Sequence, residues 1–249
     1  MWSPAKTLAN FPETAYNIPQ EVRTMFQGYD QTTVDFMWGI RFNNDRNWFM
    51  AHKQEYIDHF YQPTKDLANQ LYDGLHAAFP TEPLICKVSR IYRDARRLHG
   101  RGPYKDHLWL SLRAGDEDWT GKPTFWFELA PEYYSYGLGF WCPKAALMET
   151  YRKHVDRDPK ELERLVRRFN KQDHLQLGGE DYARPKGDPS ALLKPWYNKK
   201  NISLSYEAPL DERIFSPELA DDILSDFKAL MPFYRFFNQV LSEVPESER

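Results

Sequence analysis

The hydrophobic period of this chain changes at Leu84, and that change constrains the fold more than any other feature. Before it, Trp48, Phe49, Tyr56 and Phe60 fall on one helical stripe, and Leu67, Leu71, Leu75 and Phe79 climb in steps of four. After it the apolar residues alternate. Leu108, Leu110 and Leu112 oppose Trp109, Ser111 and Arg113, and Phe125, Phe127 and Leu129 oppose Trp126 and Glu128. Strands are therefore expected from Leu84, over Leu108–Leu112, over Thr124–Ala130 and over Tyr133–Trp141. The last two are joined at Pro131-Glu132 as a hairpin. Helical patterning then returns.

The flanking helices have recognisable starts. Thr32 or Thr33 is expected to cap a short helix through Ile40, and Asn43, Asn44 or Asp45 to cap the next. Prolines suit first helical positions, so Pro63, Pro143 and Pro159 mark further starts, the last two running to about Asp156 and Asn170. Gly178 to Pro189 reads as a connection and Asn201 to Tyr206 as one more strand. Ser216 and Pro217 open a helix carrying Leu219, Ile223, Phe227 and Leu230, and Pro232 is expected to restart a final one. Helices on both sides of a run of antiparallel strands imply an α+β fold, a central mainly antiparallel sheet flanked by N-terminal and C-terminal helices. No repeat or linker divides the chain. The expected organisation is an extended lead-in over 1–25, a single α+β domain over 26–244 and a tail over 245–249.

Composition narrows the function classes. At 41% hydrophobic and 16% aromatic the chain is globular. A formal net charge of −3 argues against a protein that binds nucleic acid over its whole surface. Cys86 and Cys142 make no disulfide framework and no zinc set, and buried structural thiols in a reducing compartment are the expectation. The N-terminus has no apolar signal region, and no apolar run approaches the roughly 20 residues that span a bilayer. The expected setting is cytoplasmic, away from membranes. No cofactor is expected: Gly115 to Pro123 has the wrong spacing for a phosphate loop, Gly137-Leu138-Gly139 lacks a third glycine, and no G-x-S-x-G occurs.

Against that acidic background, Lys87 to Arg113 carries eight Lys/Arg and only two Asp. Arginine forks grip carboxylate or phosphate in pairs of hydrogen bonds, and lysine acts as a point charge. Arg90, Arg93, Arg96 and Lys105 are therefore candidates for an anion site, with Tyr104 as a hydrogen-bonding or stacking partner. Arg96 and Lys105 stand at the two ends of a turn and are expected to approach each other. The alternative is an internal lattice in which Asp94, Glu128 and acids of the flanking helices neutralise the arginines. Glu128, between Phe127 and Leu129, is either an arginine's partner or a general acid/base. His52, Glu55 and His59 share a helical sector and are the candidate for a metal, set against a core-edge role. Asn43-Asn44 reads as capping chemistry. The possible partner is an anionic small molecule. Tyr104, Trp109, Trp126, Tyr134 and Tyr136 also keep nucleic acid open, by stacking of bases on rings.

Several separated stretches resemble the bacterial and fungal family catalogued as domain of unknown function 2461. They are Phe36 with Asn43-Asn44 and Trp48-Phe49; Arg90-Ile91-Tyr92-Arg93-Asp94 with Pro103-Tyr104-Lys105; the tyrosine-rich Tyr133–Gly139; and Lys186-Gly187 before Leu192-Leu193-Lys194. The likeness runs from about Phe26 to Val244. The family loop typically reads R-F-S-K-D-K-x-P-Y-K, whereas here Arg96 to Lys105 lacks the acidic residue and is more basic. The resemblance implies a class and no settled activity.

Overall fold

The computed structural model describes residues 24–94, 96, 98, 100–115 and 119–245. The expected lead-in, apart from Thr24 and Met25, and the end of the tail lie outside the described residues. Helix α1, Gln31–Phe42, starts at Asp30, not at Thr32 or Thr33. Asp30 accepts from the Thr33 backbone N–H at 3.0 Å, and the Thr33 hydroxyl reaches back to the Asp30 N–H, a reciprocal box that satisfies two otherwise orphaned donors. Asp45 caps α2, Arg46–Ala51, by accepting from Asn47 and Trp48.

The short α3, Lys53–Glu55, runs through a π-helical turn, Tyr56–Tyr61, into α4, Gln62–Ala78. The sequence expectation of a fresh start at Pro63 is therefore corrected. Proline lacks an N–H and crowds the carbonyl of the preceding turn, and a widened turn absorbs this without breaking the helix. The His59 carbonyl, four residues before Pro63, accepts instead from the Thr33 hydroxyl.

Strands β1 (Leu84–Val88), β2 (Leu108–Ala114), β3 (Thr124–Leu129) and β4 (Tyr133–Gly139) form a meander. After α5 (Ala145–Arg157) and α6 (Pro159–Phe169) come β5 (Gln176–Gly178), the single turn α7 (Lys194–Tyr197) and β6 (Ser203–Pro209). The six strands are all antiparallel, in the order β1-β2-β3-β4-β6-β5. The protein is thus α+β with a central antiparallel sheet. The three-residue β5 and the four-residue α7 are not legible as elements, being too short for a period to register.

The last helix, α8, is one helix from Glu218 to Glu243 with Pro232 inside it, not two. An internal proline costs roughly 3 kcal/mol. Phe227, Leu230, Met231, Phe233, Tyr234, Phe236 and Phe237 are all buried along α8. At roughly 1.5–3 kcal/mol per buried large side chain, that packing outweighs the break. Helices α4 and α8 lie together over one sheet face, made of Leu108, Leu110, Leu112, Phe125, Phe127, Leu138 and Leu204. Gly74 permits their approach: a Cβ there would come within 2.3 Å of Leu224 Cδ2. The other face carries Trp109, Ser111, Arg113, Trp126, Glu128 and Ser135, as the register requires. Among the described residues no helix is long and apolar enough to cross a membrane.

Candidate functional site

The basic stretch forms an extension of the β1–β2 hairpin. Beyond Val88 the two arms stay joined: Lys105 N–H donates to the Ile91 carbonyl at 2.7 Å, Arg93 N–H to Pro103 at 2.8 Å, and Tyr92 bridges Tyr104. Asn44 holds this arm against the end of α1. Its amide donates to the Tyr104 carbonyl and its carbonyl accepts from the Tyr104 N–H, each at 2.9 Å. Gly102 is required by that docking, because a Cβ would lie 2.2 Å from Asn44 Oδ1. The Asn-Asn pair divides its work, with Asn43 closing α1 onto the Gly39 carbonyl and Asn44 clamping the hairpin.

Five anion-site candidates were read from sequence, and three of them converge. The Lys105 ammonium is half-buried over the Trp109 ring at 5.7 Å. Burial, with Arg93 and then Arg90 adding positive charge, pulls its pKa down to about 8, and Glu128 opposes the shift. Arg93 donates from Nε to the Tyr104 carbonyl at 2.7 Å, leaving its outer guanidinium 3.8 Å from Asp106. Arg90 is exposed. Among the described residues neither Arg90 nor Lys105 has an acid within 4.0 Å.

The other two candidates lie elsewhere. Arg96 is 88% exposed and forks onto Asp94 at 2.9 Å, two residues away. Tyr104 is buried, with its ring stacked on Phe49 at 4.3 Å, so its backbone rather than its phenol serves the corner.

Of the expected internal acids Asp94 pairs with Arg96, but Glu128 pairs with no arginine among the described residues; Asp106 and Glu132 are the further arginine partners here. Arg41, from the last turn of α1, binds Asp106 at 2.5 Å and also Glu132. Asp106 accepts from the His107 ring at 2.9 Å, and this bond and Arg41 hold its carboxyl far below the usual range. Glu128 sits on the same sheet face as Trp109, its cross-strand partner. It accepts from the Tyr133 hydroxyl at 3.4 Å and stands 4.0 Å from His107 Nε2. The corner thus places a carboxylate, a phenol, an imidazole and an amine of lowered pKa side by side, a set able both to hold an anion and to move a proton.

The helical metal candidates separate. His52 stacks on Trp48 and bonds its carbonyl through Nδ1, His59 turns to Asp30 at 2.5 Å, and Glu55 is exposed. Among the described residues no group of three or more His, Cys, Asp or Glu is arranged to hold a metal. Both cysteines are free, but the expectation of burial fails for Cys142, which is exposed. Burial pushes the Cys86 thiol up to about 12.

Sequence reading missed a concavity on the opposite sheet face. It is a cavity of about 360 Å³ floored by Tyr134, Tyr136 and Leu219, walled by Tyr206, and rimmed by His174, Arg213 and Asp222. From sequence, Tyr134 and Tyr136 read only as stacking surface. The spacing Asp222/Asp226 on α8 was the available signal, because a step of four puts both carboxylates on one helix face.

No curated protein matches the chain. Residues 32–236 match the family described as conserved hypothetical protein (DUF2461), and the chain belongs to that family.

Proposed function

We propose that the hairpin corner of Arg90, Arg93 and Lys105 accepts a phosphate- or carboxylate-bearing small molecule. The supporting observation is the gathering of two guanidinium groups, Arg93 and Arg90, near one half-buried amine, Lys105, with no acid within ion-pair distance of Lys105 or Arg90 among the described residues. Like charges held together repel, and an anion seated between them relieves the repulsion. The internal lattice accounts for Arg41, Arg96 and part of Arg93; Arg90 and Lys105 remain for a ligand. The two unpaired thiols fit a cytoplasmic setting.

The test is thermal denaturation of the full chain against inorganic phosphate at constant ionic strength, with Arg90→Gln as the comparison. Among the described residues Arg90 makes no ion pair, so this variant should fold normally and lose the phosphate-induced rise in Tm. An equal rise in both proteins would sink the assignment.

A second reading is catalytic. Glu128, Tyr133 and His107 stand beside Lys105 on one face, which favours acid/base chemistry on the same phosphorylated or carboxylated ligand. The third, nucleic-acid binding, requires affinity for an oligonucleotide that falls steeply with salt and exceeds that for free phosphate.

A further inference from the structure

The cavity over β4 and β6 has a chemistry opposite to that of the basic corner. Strand β4 separates the two sites: Ser135 faces Glu128 on one side of the sheet, while Tyr134 and Tyr136 point to the helical side. The floor is buried, with Tyr134, Tyr136 and Leu219 at most 4% exposed. The mouth is open, with His174, Arg213 and Asp222 each 43–47% exposed. A volume of about 360 Å³ suits a small organic molecule.

The charges converge on the inner wall. Asp226 is 14% exposed and accepts from the Tyr136 hydroxyl at 2.9 Å through one oxygen and meets His174 Nε2 at 2.8 Å through the other. Asp222, one helical turn earlier, meets Arg213 at 2.7 Å. Each carboxylate has about four acceptor sites, so both retain capacity for further donors. The tyrosines stay neutral, because burial and then the Asp226 charge push the Tyr136 phenol far up, and burial does the same for Tyr134. Their hydroxyls are donors already directed at acids: Tyr136 at Asp226 and Tyr134 at Asp211, 3.5 Å away. Past the His174 and Arg213 rim, a ligand meets ring surface and carboxylate oxygen. Tyr206 ties the rings together, 5.2 Å from Tyr136 and 5.9 Å from Tyr134. Aromatic faces and carboxylates both attract a cation. They repel an anion.

We propose that this cavity binds a small organic amine, its ammonium group between Asp222 and Asp226 and its apolar body against Tyr134, Tyr206 and Leu219. The ammonium supplies donors to the unused carboxylate oxygens, and Arg213 is the rim residue that yields or that pairs with a second, acidic end of the ligand.

Calorimetric titration of the full chain with phenethylamine, 2-phenylethanol and phenylacetate tests this, since the three probes share a body and differ in charge. The amine should bind, the alcohol should bind about tenfold or more weakly, and phenylacetate should not bind. Asp226→Asn should weaken the amine by about tenfold or more. Because Asp226 also supports Tyr136, Asp222→Asn at the exposed rim is the control for folding, and it too should weaken binding. Arg90→Gln should leave amine binding unchanged, which separates this site from the anion corner. Equal binding of amine and alcohol, no amine binding, amine binding that survives both Asp variants, or loss of amine binding in Arg90→Gln would each overturn the assignment.

Discussion

Replacing Lys105 by Met should make the protein more stable while removing its response to phosphate. The Lys105 amine has an ordinary pKa of 10.5 and sits at about 8 in the fold. Each tenfold change in proton affinity is worth about 1.4 kcal/mol, so holding this cation in place at neutral pH costs about 3 kcal/mol. Methionine keeps an aliphatic stem of similar length and removes the charge over the Trp109 ring. For a chain of this length, a gain of 2–3 kcal/mol is a rise in Tm of roughly 5–10 °C.

The pH dependence carries the sharper signature. Between about pH 8 and 10.5 the unfolded wild type binds a proton on Lys105 that the folded form has released. Wild-type stability therefore rises with pH through that window, and the variant's advantage is full below pH 8 and gone above 10.5. Tyrosines titrate in the opposite sense there: burial raises their folded pKa, so stability falls as unfolded tyrosines ionise. That contribution is common to both proteins and cancels in the difference. Urea denaturation of both proteins from pH 6 to 11, with and without phosphate, reads the effect. Phosphate should narrow the gap below pH 8 by stabilising only the wild type. A variant less stable than wild type at pH 7, or an advantage that does not change with pH, would refute the burial argument.

Three further outcomes follow from the same contacts. Asn44→Ala removes both bonds that clamp Tyr104 and should cost about 2–3 kcal/mol in denaturant melts, with faster amide exchange over 90–105. Asp30→Ala removes the α1 capping box and should cost about 1 kcal/mol by the same assay. Asp106→Asn should cost about 2 kcal/mol at pH 7, since Arg41, Arg93 and His107 share that acid. The Asp106 carboxyl is held low in the fold, so its stabilisation is present above the unfolded value near 4 and lost as pH falls below it. The variant's acid unfolding curve should accordingly be flatter than wild type below pH 4.

The strands were legible where one face is buried, because alternation is then forced: Leu108, Leu110 and Leu112 all lie at 0% exposure. Pro63 and Pro232 misled, because an isolated proline reads as a boundary. Whether a helix continues through one depends on what packs around it: a π-helical turn and the Thr33 hydroxyl at Pro63, and a row of buried aromatics at Pro232. Asn44 was visible as a capping residue but not as a clamp, since its partner Tyr104 is 60 residues away.

By itself the sequence determined the class of fold, the position of the basic hairpin and the family, all of which depend on local period or on contiguous motifs. Only the tertiary structure sorted the cations. It turned Arg96 out to Asp94, gave Arg41 to Asp106 and Glu132, and brought Lys105 within the influence of Arg93, Arg90 and Glu128. It also joined β4, β6 and α8 around a tyrosine-lined cavity with acids on its wall. Charge counts are additive along a chain, but pairing depends on distances of a few ångströms between distant segments, and packing sets those distances.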